Sequence, residues 1–274
     1  MFKGRNFAFK SGEKTYIMGI LNITDDSFFD GGKYNTKEKA LQHTVEMLED
    51  GADIIDIGAQ STRPGHKNIS ADEELQIIKE YLPYISKKTK AVISVDTFYP
   101  EVAEYALQNG AAIINDVSGR VNPQMAELVK KYGCGWIIMH NGGGDSDTYP
   151  EYSQGVLTDI NNFFKTSVEK CFEAGISKEQ IMLDIGIGFG KTNEQNLEVL
   201  KHLNKIHKCG CPLMVAASNK RVVGMATNTD GDDRVYGTIA LNALAVKNGA
   251  DFVRVHNVKE NALAMKMVDA LVRR

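Results

Sequence analysis

The sequence predicts an α/β fold, a TIM (β/α)8 barrel with a short N-terminal extension covering one end. Three observations carry that reading. From about residue 15 onward, short continuous apolar runs alternate with amphipathic stretches of helical period, the pattern of a parallel sheet covered by helices. About eight such units of roughly 30 residues follow one another, which is the number and size of a closed barrel. No linker or low-complexity break interrupts them, so residues 1–274 read as one domain. A doubly wound open sheet is the alternative arrangement of the same units.

The elements follow in order. Residues 1–14 are short, polar and turn-rich, the expected cover for one end. An apolar strand over 15–21 ends on Asn22, and after a polar loop Thr36 offers an N-cap to a helix with Ala40, Leu41, Val45 and Leu48 on one face. The second strand, 53–57, leads into a loop rich in Gly, Ser, Thr and Pro. Its helix begins near Ser70, where Ser-Ala-Asp-Glu makes a capping box. The third, 91–95, ends on Asp96, and Pro100 opens the following helix at a favoured first-turn position. The fourth, 112–114, ends on Asn115 and Asp116, with a helix from about Pro123. The fifth, 135–139, ends on His140, followed by a glycine-rich loop and a long helix over 156–174.

The sixth unit is the most distinctive. An apolar run ends on Asp184, Gly186, Gly188 and Gly190 follow at alternate positions, and 194–203 reads as a helix. Such a loop can press its backbone against a flat or phosphorylated ligand. Gly190-Lys191-Thr192 copies the end of a Walker A loop, but that loop needs a glycine where Ile185 stands. Lys191 is expected instead to cap the loop or touch the next helix. The seventh strand, 212–216, ends on Ser218, Asn219, Lys220 and Arg221, with a helix over 234–248. The eighth, 252–255, ends on His256, with a last helix through Leu271.

Composition narrows the function. A hydrophobic content of 43% suffices for a large core, and a net charge of −3 gives no general attraction to nucleic acid or an anionic membrane. No apolar run is long enough to span a bilayer and no signal-peptide core opens the chain, so a cytoplasmic location is expected. Cys134, Cys171, Cys209 and Cys211 match no zinc spacing.

In a barrel all strand C-termini surround one mouth, where active sites sit. The residues expected there are Asn22, Thr62, Arg63, Asp96, Asn115, His140, Asp184, Lys220, Arg254 and His256. Each alone is an ordinary turn or cap residue; their recurrence at the same place in successive units is not. Asp96, Asn115 and Asp184 supply carboxylate and carboxamide groups that suit an aminopyrimidinone edge, as in guanine or a pterin. Arg63, Lys220, Arg254 and His256 supply cations for phosphate oxygens. One rim for a heterocycle and one for an anion describe a substrate with both parts.

Seven ordered motifs extend this reading over nearly the whole chain. They are Gly-Ile-Leu-Asn-Ile-Thr-Asp-Asp-Ser-Phe-Phe-Asp-Gly-Gly at 19–32, Asp-Ile-Gly-Ala-Gln-Ser-Thr-Arg-Pro-Gly at 56–65, Ser-Val-Asp-Thr at 94–97, Ile-Asn-Asp-Val-Ser at 114–118, Asp-Ile-Gly-Ile-Gly-Phe-Gly-Lys at 184–191, Ser-Asn-Lys at 218–220 and Arg-Val-His at 254–256. In these the chain resembles the dihydropteroate synthases. The resemblance implies a TIM barrel and a transferase of folate biosynthesis that joins 6-hydroxymethyl-7,8-dihydropterin diphosphate to p-aminobenzoate and releases diphosphate. By that resemblance Asp96, Asn115 and Asp184 hold the pterin, with Lys220 along it near the second substrate. Arg63, Arg254, His256 and Thr62 bind the diphosphate, and Asn22 meets Mg²⁺ or diphosphate. Ser218, Pro64 and Phe28 contact p-aminobenzoate. The resemblance also implies a homodimer, for which Leu241, Leu244 and Val246 are one candidate face.

The chain departs from the family pattern at several positions. Asp25 and Ile185 stand where Pro is usual, and Gln60 where Glu is frequent. Asn219 replaces the Arg of Ser-Arg-Lys, and Asn257 replaces the Asp after His256. Two other functions stay open from the residues: a pterin-binding paralogue without synthase activity, and a folate-dependent methyltransferase, which would need the pterin residues but not the diphosphate cations.

Overall fold

A computed structural model describes residues 1–23, 36–60, 69–143 and 149–273. Eight parallel strands close into a barrel: β3 (Tyr16–Asn22), β4 (Ile54–Gly58), β5 (Val92–Asp96), β6 (Ala111–Asp116), β7 (Gly135–Met139), β8 (Ile181–Asp184), β9 (Leu213–Val215) and β10 (Phe252–Val255), with β10 pairing back onto β3. The barrel predicted from the apolar runs is therefore the observed architecture, and each strand lies within a residue or two of its expected bounds. Ahead of it, β1 (Phe2–Gly4) and β2 (Phe7–Phe9) form an antiparallel hairpin.

The helices around the barrel are α1 (Lys37–Glu49), α2 (Ala71–Lys88), α3 (Pro100–Gln108), α4 (Pro123–Tyr132), α5 (Val156–Glu173), α6 (Asn193–Lys201), α7 (Arg221–Thr227), α8 (Arg234–Lys247) and α9 (Val258–Val272). Local chemistry fixes where they begin. The Thr36 hydroxyl accepts from the Lys39 N–H, and Ser70 and Glu73 close the capping box that starts α2. Pro100 and Pro123 open α3 and α4. The short α7 was not anticipated: its apolar face spans two turns, too little for a periodic signal. The expected 194–203 helix ends earlier, at Lys201, and continues as a 3₁₀ turn over Leu203–Lys205. Among the described residues no helix is long and apolar enough to cross a membrane.

The pleat places alternate residues of each strand inside the barrel. Met18, Ile54, Ile113, Ile137, Met182, Met214 and Phe252 form an apolar floor, buried with Phe2 and Phe7 of the hairpin. Phe2 meets Phe252 edge-on, with ring centroids 5.9 Å apart, and Tyr16 stacks on Phe252 at 4.9 Å. Full burial of a Phe side chain contributes about 1.5–3 kcal/mol, so the expected N-terminal cover is a plug at the strands' N-terminal end. The opposite end is left for polar groups.

Candidate active site at the barrel mouth

One layer above the apolar floor, the inward positions turn polar. Asp56, in the middle of β4, is fully buried. Its Oδ2 accepts from Arg254 Nε at 2.6 Å and from Asn115 Nδ2 at 3.0 Å. Arg254 Nη2 donates to Asp96 Oδ2 at 2.9 Å. Three strand ends and one mid-strand carboxylate thus form a single hydrogen-bonded layer across the barrel. Asp56 Oδ1, Asn115 Oδ1 and Ser94 Oγ in this layer have no hydrogen-bond partner among the described residues. Buried polar atoms without partners are destabilising, so the layer is built to meet a polar ligand.

Asp184 closes the layer from β8, buried, with its Oδ1 accepting from Gly186 N at 2.8 Å. The loop behind it is tightly fixed. Gly186 has φ 63°, and a Cβ there would collide with the His140 carbonyl, so only glycine fits. Lys220 Nζ donates to Ile187 O and lies 4.7 Å from the centre of the Phe189 ring. On the far side, Ser218 Oγ accepts from His256 N at 3.1 Å and lies 3.1 Å from His256 Nδ1.

Burial and mutual charge set the protonation states. Burial pushes the Asp96 carboxyl up to about 7; Arg254 opposes the shift, and the Asp56 and Glu74 carboxylates add to it. Asp184 is raised by burial against the pull of Lys220. Lys220 is lowered to about 8 by burial, against Asp184. The Arg254 guanidinium is raised, because Asp56 and Asp96 outweigh its burial. Behind Asp96, the buried Glu74 of α2 is pushed up to about 7 by burial.

Asn22, Asp96, Asn115, Asp184, Ser218, Lys220, Arg254 and His256 all stand at the strand ends expected of them. Phe28, Thr62, Arg63 and Pro64 lie outside the described residues. His140 is a correction. On β7 the inward positions are Ile137 and Met139, so His140 turns outward with Trp136 and Ile138. There it is buried, its Nε2 2.8 Å from Asp159 Oδ1 of α5 and its ring edge-on to Phe163. Burial and Lys191 push it down to about 4, leaving a neutral core histidine. Asp56 is the residue that strand-end reasoning missed. Counting parity along Ile54, Asp56 and Gly58 would have placed a carboxylate inside the barrel.

Lys191 caps the loop, as expected. It is buried, and its Nζ donates at 3.0 Å to the carbonyls of His140, Gly186 and Phe189. The expected apolar face on α8 is only partly a surface: Leu244 is 61% exposed, while Val246 is in one core cluster and Leu241 packs against another.

A magnesium site centred on Asn22 can be tested on the donors present. Gly58 faces Asn22, and a Cβ there would lie 3.6 Å from Asn22 Oδ1 and 3.6 Å from Asp96 Cβ. Asn22 thus places a hard carboxamide oxygen beside the acidic layer. Mg²⁺ typically takes one or two protein oxygens and completes its shell with water and substrate phosphates, so Asn22 fits. Among the described residues no cluster of three His, Cys, Asp or Glu offers a site made by protein alone.

The family model described as pterin binding enzyme matches residues 18–256. The dihydropteroate synthase of Clostridium beijerinckii is 42% identical over 268 residues, covering 97% of each chain. A crystal structure of dihydropteroate synthase from Clostridium difficile, obtained in the presence of pteroic acid, is 43% identical with a TM-score of 0.90, covering 97% of this chain and 100% of that one. The Xanthomonas albilineans dihydropteroate synthase with 4-aminobenzoic acid is 34% identical, with a TM-score of 0.87 and coverage of 95% and 94%.

Proposed function

Given that the chain belongs to the dihydropteroate synthases of the pterin-binding enzyme family, we propose how its barrel mouth divides the two substrates. The pterin of 6-hydroxymethyl-7,8-dihydropterin diphosphate lies against the polar layer. Asp96 and Asp184 accept from its ring N–H groups and Asn115 matches a neighbouring donor–acceptor pair. The carrying observation is the joined layer of Asp56, Asn115, Arg254 and Asp96. It presents fixed acceptors on one side and a guanidinium on the other.

Arg254 uses two of its N–H groups on Asp56 and Asp96, and its remaining donors are available to the diphosphate. Lys220, His256 and, from the loop outside the described residues, Thr62 and Arg63 complete the anion side. Asn22 would hold Mg²⁺, and the ion would supply charge neutralisation for the diphosphate leaving group. As the C–O bond to diphosphate breaks, positive charge grows on the pterin methylene. The carboxylates of Asp96 and Asp184 stabilise it because they are fixed before the charge appears. The p-aminobenzoate amine is neutral and attacks without a strong base, so Ser218, with Pro64 and Phe28 from outside the described residues, needs only to position it.

The near-full-length similarity favours this synthase over the methyl-transfer and non-synthetic alternatives, and the cations of the site have no use in methyl transfer. A homodimer follows the same reading. Tyr236 and Leu244 of α8 and Leu263, Met267 and Leu271 of α9 are exposed apolar residues that suit a face buried against a second copy. The reading also places the chain in the cytoplasm. Its test is diphosphate release from the pterin diphosphate with Mg²⁺, with and without p-aminobenzoate. Release that requires the amine and yields dihydropteroate is expected. Tight pterin binding without product would favour the non-synthetic reading.

A further inference from the structure

Two side-chain contacts above the barrel rim continue a strand register. In the sheet, Phe252 pairs with Met214 and Val253 with Val215. Beyond the strand ends the same spacing of 38 residues recurs twice. His256 N donates to Ser218 Oγ at 3.1 Å, and Asn219 Nδ2 donates to Asn257 Oδ1 at 3.2 Å. The ladder between β9 and β10 is thus prolonged by two rungs made of side chains, joining the loop that carries Lys220 to the loop that carries His256.

The second rung is strongly held. Asn219 is 6% exposed and has φ 57°, a left-handed conformation that Asn accepts better than most residues. Its N–H donates to Thr238 Oγ1 at 3.2 Å, and its carbonyl accepts from Arg234 Nη1 at 3.1 Å. Its side chain points away from the mouth, toward α8 and α9. Asn257 occupies the N-cap position of α9, and its carbonyl accepts from Asn261 Nδ2 at 2.8 Å. Asn219 is the immediate chain neighbour of Lys220, and Asn257 of His256. Opposed partners at equal register can be an ion pair or a neutral pair, but a change on the Asn257 side alone leaves the buried Asn219 carboxamide without that partner.

We propose that Asn219 and Asn257 are a positioning pair for the synthase reaction, a neutral carboxamide rung that fixes the spacing between Lys220 and the Arg254–His256 edge. The proposal rests on the functional reading above only for the substrate it names, the pterin diphosphate. The pair acts as one unit, so its members are interchangeable only together.

The test is a double-mutant cycle on the full chain with N219G, which keeps the left-handed backbone and removes the carboxamide, and N257A. Each single variant is expected to lower kcat/KM for the pterin diphosphate about tenfold, and N219G/N257A to be no worse than either single. N257D, which keeps the acceptor, is expected to stay within about threefold of wild type. A neutral-to-ionic exchange, N219R/N257D, is expected to recover activity that N219R alone loses. Unchanged single variants, or losses that multiply to about a hundredfold in the double, would overturn the pairing. Loss by N257D equal to that by N257A would overturn the role of the acceptor. Wild-type turnover, run alongside, reads the functional assignment separately. Thermal melting of the same four proteins reads the coupling without turnover, and additive shifts there would overturn it as well.

Discussion

Arg254 reaches across the barrel to two carboxylates at once, its Nε 2.6 Å from Asp56 Oδ2 and its Nη2 2.9 Å from Asp96. Asp56 is therefore the anchor of the anion side although no solvent reaches it. D56N keeps the shape but removes the charge that holds the guanidinium. Breaking one partner of a buried pair typically costs about 3–5 kcal/mol, and a small displacement of a positioning group lowers rates by about 10²-fold. Urea denaturation and steady-state kinetics of D56N are expected to show both losses. Wild-type values would refute the anchoring role.

Asp96 and Lys220 bracket the working pH. Asp96 stands near 7 and accepts from the pterin only when ionised, so kcat/KM falls as pH drops through that value. Lys220 stands near 8 and holds the anion only when protonated, so kcat/KM falls again as pH rises through it. The expected profile for the pterin diphosphate is a narrow bell. D96N removes the acid limb along with most activity, and a flat wild-type profile between pH 6 and pH 9 would contradict the assignment, the window following from about one unit on each side.

Glu74 imposes a separate pH dependence on stability. Its folded pKa of about 7 is above the ordinary 4.5, so between these values the folded state keeps a proton that the unfolded chain has lost. Stability therefore falls as pH rises from 4.5 to 7 and levels off above. E74Q keeps a neutral side chain at every pH. It is expected to gain on the order of 2 kcal/mol over wild type at pH 8 and nothing at pH 4, read by chemical denaturation at both.

Lys191 ties three carbonyls of two loops with one ammonium. K191M fills the same space and leaves those carbonyls unpaired, which costs about 1–3 kcal/mol for each buried group left unsatisfied. Because Gly186 fixes Asp184, the variant is expected to melt earlier and to bind the pterin more weakly. Isothermal titration with a pterin analogue measures the second effect.

Leu244 is an exposed apolar residue on α8. L244E is expected to shift the protein from dimer to monomer in light scattering while leaving the circular dichroism spectrum unchanged. A wild-type protein that is monomeric at micromolar concentration would remove the dimer from the reading.

Much of this was legible beforehand because barrel strands advertise themselves. Continuous apolar runs located all eight, and the polar residue ending each one located the mouth. What stayed hidden depends on parity and packing. His140 ends its strand as Asp184 does, but it sits one position out of phase with the interior and serves α5. Asp56 lies inside an apolar run, where an acidic residue reads as interruption rather than as part of the site. The Asn219–Asn257 contact joins two segments that only the closed barrel brings together, so the sequence shows the two departures without their meeting.

The aromatic floor has a consequence for synthesis on the ribosome. Phe2 and Phe7 precede the whole barrel along the chain, yet their seat includes Phe252, on the strand that closes the ring. Until β10 is made the hairpin has no finished surface to settle on, and its rings remain exposed to solvent or to chance partners. Such long-range closure is slow and leaves apolar surface open to aggregation. The nascent barrel is thus most vulnerable until β10 is released, and the plug that seals the finished barrel is, until then, the part that most needs shelter.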